Sequence, residues 1–253
     1  MINITYLIII YLFVIGTIFG SFYNVVAHRL PVGKSIVYPP SRCDNCNHRL
    51  TFIELIPIFS YLIQKGKCKK CGVKITSIHL IFEIMVGILF SFSFIVFGFD
   101  FQTILALIVV SVLSIVIISD LNYMVILDEV LITGALATII SVLIFKDFSM
   151  LLSMFFSSFI CFLIMYCIKL FGNFLYKKES MGDGDIKLIA YIGFNLGLIN
   201  GIGSIFLGSI IALPISYFFM KKGHKIIPFG PFLSIAAMIL MFTQFDVISL
   251  FIR

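Results

Sequence analysis

The stretch "ILALIVVSVLSIVIISD", residues 104–120, carries no charged side chain until it ends at Asp120. The rest of the chain repeats this character, since 61% of its 253 residues are hydrophobic, 12% are charged and the mean hydropathy is +1.16. Such a composition lies outside the range of soluble globular domains. A helix that crosses the hydrocarbon of a bilayer needs about 20 apolar residues. The sequence therefore predicts an integral membrane protein.

Apolar runs of this kind recur along the chain and predict an all-α polytopic fold with about eight transmembrane helices. The sixth run is short, and its glycine-rich boundary with the seventh makes seven spans the alternative. The first run is interpreted as a helix and not as a cleaved signal peptide, because no basic residue precedes it and no A-x-A-like site follows it. The runs cover residues 3–23, 78–98, 102–119, 129–145, 149–172, 186–199, 201–219 and 228–251.

The distribution of Lys and Arg predicts the orientation in the membrane. Residues 28–77 contain half of the 18 basic residues, and short loops rich in Lys and Arg stay in the cytoplasm. Alternating spans then place the connections near 120–128, 173–185 and 220–227 inside and both termini outside. Topology and attraction to anionic membrane lipid explain the net charge of +6, so no nucleic-acid partner is needed.

The basic segment 28–77 is the only long polar stretch, and it divides the chain into a first helix (1–27), a cytoplasmic insert and a membrane core (78–253). It contains two C-x-x-C pairs, whose spacing predicts a structural zinc site with four thiolates and no open position for water. Disulfides or free thiols are the alternatives, but a reducing compartment disfavours disulfides. An insert this small has little core of its own, so a metal would close it. The predicted ligands are Cys43, Cys46, Cys68 and Cys71, and His48 is a possible substitute for one of them.

Two acids mark the same predicted membrane face. Asp120 ends the third run and Asp185 begins the sixth, so both fall at the cytoplasmic boundary and meet if their helices pack together. Carboxylates at the edge of hydrocarbon are costly and indicate function. Two carboxyls that share a proton provide an acid and a base for hydrolysis of an amide.

The residues alone leave alternatives for these acids open. Asp185 could be a helix N-cap, with Gly184 giving the backbone flexibility before the helix. Gly182 and Gly184 also permit another segment of backbone to approach closely. The first acid could pair with Asp185 or with Asp183, and Asp128 could contribute.

Six segments, in this order, resemble the type IV prepilin peptidases, which are polytopic aspartic proteases of the GxGD class. Between them these segments extend over most of the chain. They are "FGSFYNVVAHRLP" (19–31), the two C-x-x-C pairs, "SIHLIFEI" (77–84), "SDLNYMVILDEV" (119–130), "GDGDIKL" (182–188) and "IPFGPFL" (227–233).

The resemblance implies catalytic roles for Asp120 and Asp185, and it places Asp183 at the variable position of GxGD. Asp128 matches a frequent acid of the family, although Leu127 stands where proline is usual. Supporting residues implied around the catalytic pair are Gly182, Gly184 and Lys187, of which Lys187 could tune the ionisation of Asp185.

The implied reaction is removal of a short basic leader from prepilins or pseudopilins, at the cytoplasmic face of a bacterial cell membrane. The resemblance also implies methylation of the new N-terminus from S-adenosylmethionine. The insert is associated with that second activity and Glu83 is a candidate participant. Nothing in the sequence indicates the oligomeric state.

Two other function classes compete with a peptidase. An ion-coupled transporter would use the acids to bind a cation, but such sites lie near the midplane on broken helices within inverted repeats. Here the acids fall at one face, and the sequence has no such repeat. A zinc-stabilised scaffold without chemistry would tolerate replacement of both acids.

Overall fold

A computed structural model describes residues 4–221 and 227–244, and within those ranges the chain is almost entirely helical with no β-strand. This confirms the all-α prediction. Short 3-10 turns occupy Leu30–Val32 and Ile53–Leu55. The helices are α1 (Ile4–Arg29), α2 (Phe59–Ile63), α3 (Ser77–Phe97), α4 (Phe101–Tyr123), α5 (Asp128–Phe145), α6 (Phe148–Tyr176), α7 (Asp183–Lys221) and α8 (Gly230–Thr243).

Six of these helices, α1 and α3 to α7, are long and apolar enough to cross a membrane, and α8 is an apolar helix with 14 described residues. The protein is therefore a multi-pass membrane protein. The chain ends, for which an outside location is predicted, and the basic residues Lys222 and Lys225 lie outside the described residues.

Helix α7 contains both the sixth and the seventh apolar run, and the chain reverses at Gly197, two residues before the predicted end of the sixth run. This residue has φ 80° and ψ 172°, which is not helical. A Cβ atom added to Gly201 would lie 3.1 Å from the Cα atom of Gly193, whereas residues eight apart in a straight helix are separated by about 12 Å. The first arm (183–196) and the second arm (198–221) of α7 therefore lie side by side as a hairpin.

The chain folds into two compact units, residues 1–99 and 100–253. In the first unit α1 packs along α3, where Gly16 meets the backbone of Gly87. Small residues allow such close approach between membrane helices. The division at 27 and 77 expected from the sequence stays a prediction.

In the second unit α4 is the most buried of the helices long enough to cross a membrane and packs against α5 and α8, while α7 packs against α6 and α8. Polar contacts join the first arm of α7 to its neighbours on both sides. Thr138 of α5 donates to the Asn195 side chain at 2.8 Å, and Ser158 of α6 donates to the carbonyl of Ala190 at 2.9 Å. A buried cluster beside them consists of Phe101, Leu105, Val142, Leu151, Met154 and Phe194.

Candidate active site and metal centre

The structure brings Asp120 and Asp185 together in one cavity of about 610 Å³. Asp120 lies in the last turn of α4, which ends where Met124 adopts a left-handed conformation with φ 55° and donates its N–H to the Asp120 carbonyl. Asp185 lies in the first turn of α7, where the positive end of the helix dipole favours an acid. The charges of the two carboxyl groups interact. Four aspartates line the cavity, namely Asp120, Asp128, Asp183 and Asp185, and of these Asp120 and Asp185 are contributed by the end of α4 and the start of α7.

Asp120 is 5% exposed and is held by the start of α8. The backbone N–H of Gly230 donates to its carboxyl group. A Cβ atom added to Gly230 would lie 2.6 Å from Oδ2 of Asp120, so a larger residue at this position would displace the carboxyl group. Gly230 lies in the segment 227–233 that resembles the family, and its position at the start of an apolar run is the signal in the sequence that could have indicated this contact.

The loop between α4 and α5 closes the site against two glycines. A Cβ atom added to Gly184 would lie 3.0 Å from Ile126, and one added to Gly230 would lie 3.1 Å from the same side chain. A Cβ atom added to Gly182 would have no neighbour within 4 Å. The two glycines of the GxGD motif therefore differ, because only Gly184 is closely packed. Leu127 has φ −81° and ψ 116°, close to the conformation that proline would impose. Leu127, which stands where the family usually has proline, therefore keeps the conformation of this turn.

The remaining charged residues of the motif form ion pairs. Asp183 is exposed and pairs with Lys169 of α6. The ammonium of Lys187 lies 2.8 Å and 2.6 Å from the two carboxylate oxygens of Asp128. Asp183 is thus paired with Lys169 although it also lines the acid cavity. Lys187 is paired with Asp128, and its influence on the ionisation of Asp185 stays a prediction.

An apolar groove of about 370 Å³, here called the side groove, lies between α5, α6 and the first arm of α7. Its lining includes Leu131, Ala135 and Phe155. It also includes Asp128 and Lys187, which line the acid cavity as well. The side groove and the acid cavity therefore adjoin at this ion pair.

The four predicted cysteine ligands of the insert converge, with their sulfur atoms all within 4.8 Å of one another. The Sγ atoms of Cys43 and Cys71 are 3.8 Å apart and those of Cys46 and Cys68 are 3.9 Å apart. These thiols are free, since a disulfide would require about 2.05 Å. Such a cluster could hold a metal ion.

Each cysteine pair is shaped by the same tight turn. The N–H of Asn47 donates to the Cys43 carbonyl and the N–H of Gly72 donates to the Cys68 carbonyl, both at 2.9 Å. Asn47 and Gly72 are left-handed, with φ 54° and 71°. The two turns are called the first and second knuckle.

Hydrogen bonding prepares one of these thiols for metal binding. The N–H of Val73, with the side chain of Asn45, lowers the pKa of Cys71 to about 6. The pKa of Cys46 is about 11, because desolvation and the neighbouring thiols outweigh a hydrogen bond from the His48 backbone that lowers it. A bound cation would therefore be needed to keep all four as thiolates. The His48 ring pairs with Glu54 at 3.2 Å and not with the cluster.

Glu83 lies at a second cavity, in the first unit, called the insert cavity because α1, the insert and α3 enclose it. Its carboxyl accepts a hydrogen bond from the N–H of Ile58 at 2.9 Å. Ile58 has φ 62°, a conformation that costs a β-branched residue energy. Glu83 therefore holds the start of α2 in place.

The cysteine cluster predicts the metal content of the purified protein. Replacing Cys43 and Cys71 by Ser removes two of four ligands and should reduce bound metal, measured by mass spectrometry of the elements, from one ion per chain to less than about a tenth. Cys167→Ser is the matched control, because Cys167 is an exposed thiol on α6. Unchanged metal in the double variant would exclude this site.

Two sequence families match the chain. Residues 14–97 match the family described as "Bacterial Peptidase A24 N-terminal domain", and residues 107–217 match the "Type IV leader peptidase family". The second match includes both acids of the cavity. No solved structure matches the chain.

Among curated proteins, the chain is similar to several that carry the name prepilin leader peptidase/N-methyltransferase. That of Bacillus subtilis is 37% identical over 191 residues, which are 74% of this chain and 73% of that protein. That of Myxococcus xanthus is 33% identical over 73% of this chain and 55% of its own length. That of Stutzerimonas stutzeri is 27% identical over 88% of this chain and 86% of its own.

Proposed function

Because the chain belongs to the type IV leader peptidase family, we propose that Asp120 and Asp185 are the catalytic pair of an aspartic endopeptidase that removes the leader of type IV prepilins or pseudopilins. The observation that carries the proposal is the shared cavity of the two carboxyl groups. Its volume falls in the range of sites that enclose small ligands, which leaves room for a peptide segment and a water molecule.

The two acids perform complementary tasks in this reaction. One carboxylate takes a proton from water as the oxygen attacks the scissile carbonyl, and the other, protonated, donates to the leaving amine. Gly230 fixes the orientation of Asp120 through its backbone N–H. Positioning of this kind matters because small displacements of catalytic groups cost large factors in rate.

The charge asymmetry of the sequence supports a cytoplasmic location for this site. A basic leader would then lie near the anionic inner leaflet, which attracts Lys and Arg. The side groove is our proposed position for the apolar helix that follows the cleavage point, because the groove adjoins the acid cavity at Asp128 and Lys187.

Zinc is our proposed metal for the cysteine cluster. Tetrahedral coordination with Zn–S bonds of about 2.3 Å separates the sulfurs by about 3.8 Å, and the observed pairs at 3.8 and 3.9 Å fit that spacing. Four thiolates leave no position for a substrate, so zinc would serve the structure of the insert. It would hold both knuckles together.

The names of the relatives support a second activity, N-methylation of the newly exposed N-terminus. S-adenosylmethionine would supply the methyl group. The uncharged amine would form the new N–C bond with its lone pair as the S–C bond of the donor breaks, so that S-adenosylhomocysteine leaves and the methylated amine can release a proton to water.

Replacing either cavity acid tests the peptidase directly. Asp120→Asn and Asp185→Asn should each lower leader cleavage of a coexpressed prepilin by about 10³-fold or more, because acid–base catalysis is lost. Asp183→Asn is the matched control and should cleave within about twofold of wild type, since that acid is exposed and paired with Lys169. Full cleavage by either cavity variant would instead favour a transporter or a scaffold.

Gly230→Ala tests whether the start of α8 positions Asp120. The added Cβ would lie 2.6 Å from Oδ2, so the carboxyl must move, and kcat should fall by about 10²-fold. Gly182→Ala is the control with open space around its Cβ. Equal kcat for Gly230→Ala and wild type would show that this contact is dispensable.

Substitutions in the side groove test the position of the substrate helix. Ala135→Phe fills the groove and should raise KM for a full-length prepilin by about tenfold, while a short soluble peptide spanning the cleavage point should be affected less. Ala137→Phe is the matched control, because Ala137 is exposed on the same helix and does not line the groove. Equal KM values for both variants would place the substrate elsewhere.

A further inference from the structure

The short helix α2 is amphipathic in the opposite sense to a helix on the surface of a soluble domain. Its polar side turns inward, and the residues of this side that line the insert cavity are Ser60, Tyr61 and Gln64. Its apolar side turns outward, and the exposed fractions are 64% for Phe59, 60% for Leu62 and 71% for Ile63. Residues three and four apart share one face of a helix. An exposed apolar face of this kind marks contact with lipid or with another protein.

The turn before α2 shows the same inversion. The side chain of Glu54 is buried and lines the insert cavity, and its Oε2 accepts hydrogen bonds from the N–H of Thr51 at 2.9 Å and from the Thr51 hydroxyl at 2.8 Å. These bonds fix the carboxyl group inside. The side chains of Phe52 and Ile53, next to it in the chain, are exposed. The inverted polarity therefore extends through residues 52–64.

A hydrogen bond fixes the depth of α2 relative to the membrane. The N–H of Ile58, at the start of α2, donates to the carboxyl group of Glu83 in α3 at 2.9 Å. Glu83 lies in the second turn of α3, about 9 Å along the axis from its first residue. With 21 residues α3 is about 31 Å long, which is no more than the hydrocarbon thickness of about 30 Å requires. The start of α2 therefore lies at the membrane boundary and not in bulk water.

A cluster of lysines follows α2 directly. The N–H of Lys65 donates to the Leu62 carbonyl at 3.1 Å and the N–H of Lys67 donates to the Gln64 carbonyl at 3.0 Å, so the cluster is tied to the end of the helix. Residues 65–74 contain no acid, and their exposed lysines are Lys65, Lys67, Lys69, Lys70 and Lys74. Positive charge beside an exposed apolar helix face is typical of segments that lie in the surface of an anionic membrane.

We propose that α2 is an interfacial anchor of the insert, whose face of Phe59, Leu62 and Ile63 enters the membrane surface while the lysine cluster binds anionic phospholipid headgroups. Charge selects this occupant over two others. The basic leader of a substrate and a second copy of the same cluster would both be repelled by the lysines, whereas an anionic leaflet attracts each of them. This lipid contact does not rest on the peptidase activity.

The test uses a tryptophan, because the chain contains none of its own and a single introduced one reports its surroundings. Phe59→Trp is placed in nanodiscs of phosphatidylglycerol with or without bromine atoms on the acyl chains, which quench tryptophan fluorescence on contact. Brominated lipid should reduce its emission by about half or more, because the ring lies among acyl chains. The matched control is Tyr61→Trp on the inward face of the same helix, whose emission should fall by less than about a fifth.

The lysine cluster is tested in a variant of the Phe59→Trp chain that also carries Lys65→Gln, Lys67→Gln, Lys69→Gln and Lys70→Gln. The quenching should fall at least about twofold, because the attraction to anionic headgroups is lost. Lys177→Gln with Lys178→Gln, two exposed lysines that follow α6, is the matched control and should leave the quenching unchanged. Metal content checks folding of the insert. If the four-lysine variant loses its metal, high salt on the Phe59→Trp chain makes the same comparison, since salt screens exposed charges.

Three results would overturn the proposal. Emission of Phe59→Trp that resists brominated lipid but is quenched by dissolved acrylamide would place the face in water. Protection from both quenchers would show that protein covers it. Equal quenching of Phe59→Trp and Tyr61→Trp would contradict the orientation of α2. None of these results depends on leader cleavage, so failure of the anchor would leave the peptidase proposal standing.

Discussion

The hydrogen bond from the Gly230 backbone to Asp120 is the contact on which the geometry of the acid cavity depends. A carboxyl group at the edge of hydrocarbon is costly without a partner, and this one finds its partner at the free N–H groups of a helix start. The contact fixes the end of α4 against the beginning of α8. Because α7 packs along α8, Asp185 is brought into the same cavity without any direct bond between the two acids being required.

The reversal at Gly197 is the second constraint, because it lets a short helix begin at the cavity. The first arm of α7 is held from both sides, by Thr138 on Asn195 and by Ser158 on the Ala190 carbonyl. At the turn, Cys161 of α6 fills the space beside Gly193 and Gly201, 2.6 Å and 2.5 Å from where their Cβ atoms would be. These contacts set the depth and rotation of the arm, and therefore the direction in which Asp185 enters the cavity.

Features with a local cause could be predicted from the sequence, and features that depend on packing could not. The apolar runs and the cysteine knuckles follow from composition and short spacing, and the structure confirms the helical class and the clustering of Cys43 with its three partners. The distribution of Lys and Arg along the chain predicted that Asp120 and Asp185 lie at the same membrane face. The contact of Gly230 with Asp120 and the pairing of Lys187 with Asp128 join residues far apart in the chain, so no local pattern encodes them. From the sequence alone, Lys187 would have been paired with Asp185, the acid nearest to it in the chain.

The two units offer different physical environments to their polar side chains. Hydrolysis by an acid pair needs carboxyl groups that are shielded from bulk water, and apolar helices around Asp120 provide that shielding. The insert, a stretch of 50 residues without a core of its own, would depend on its proposed metal to fix the positions of its charged side chains. A closed four-thiolate centre is suited to that task because it organises the knuckles without competing for either substrate.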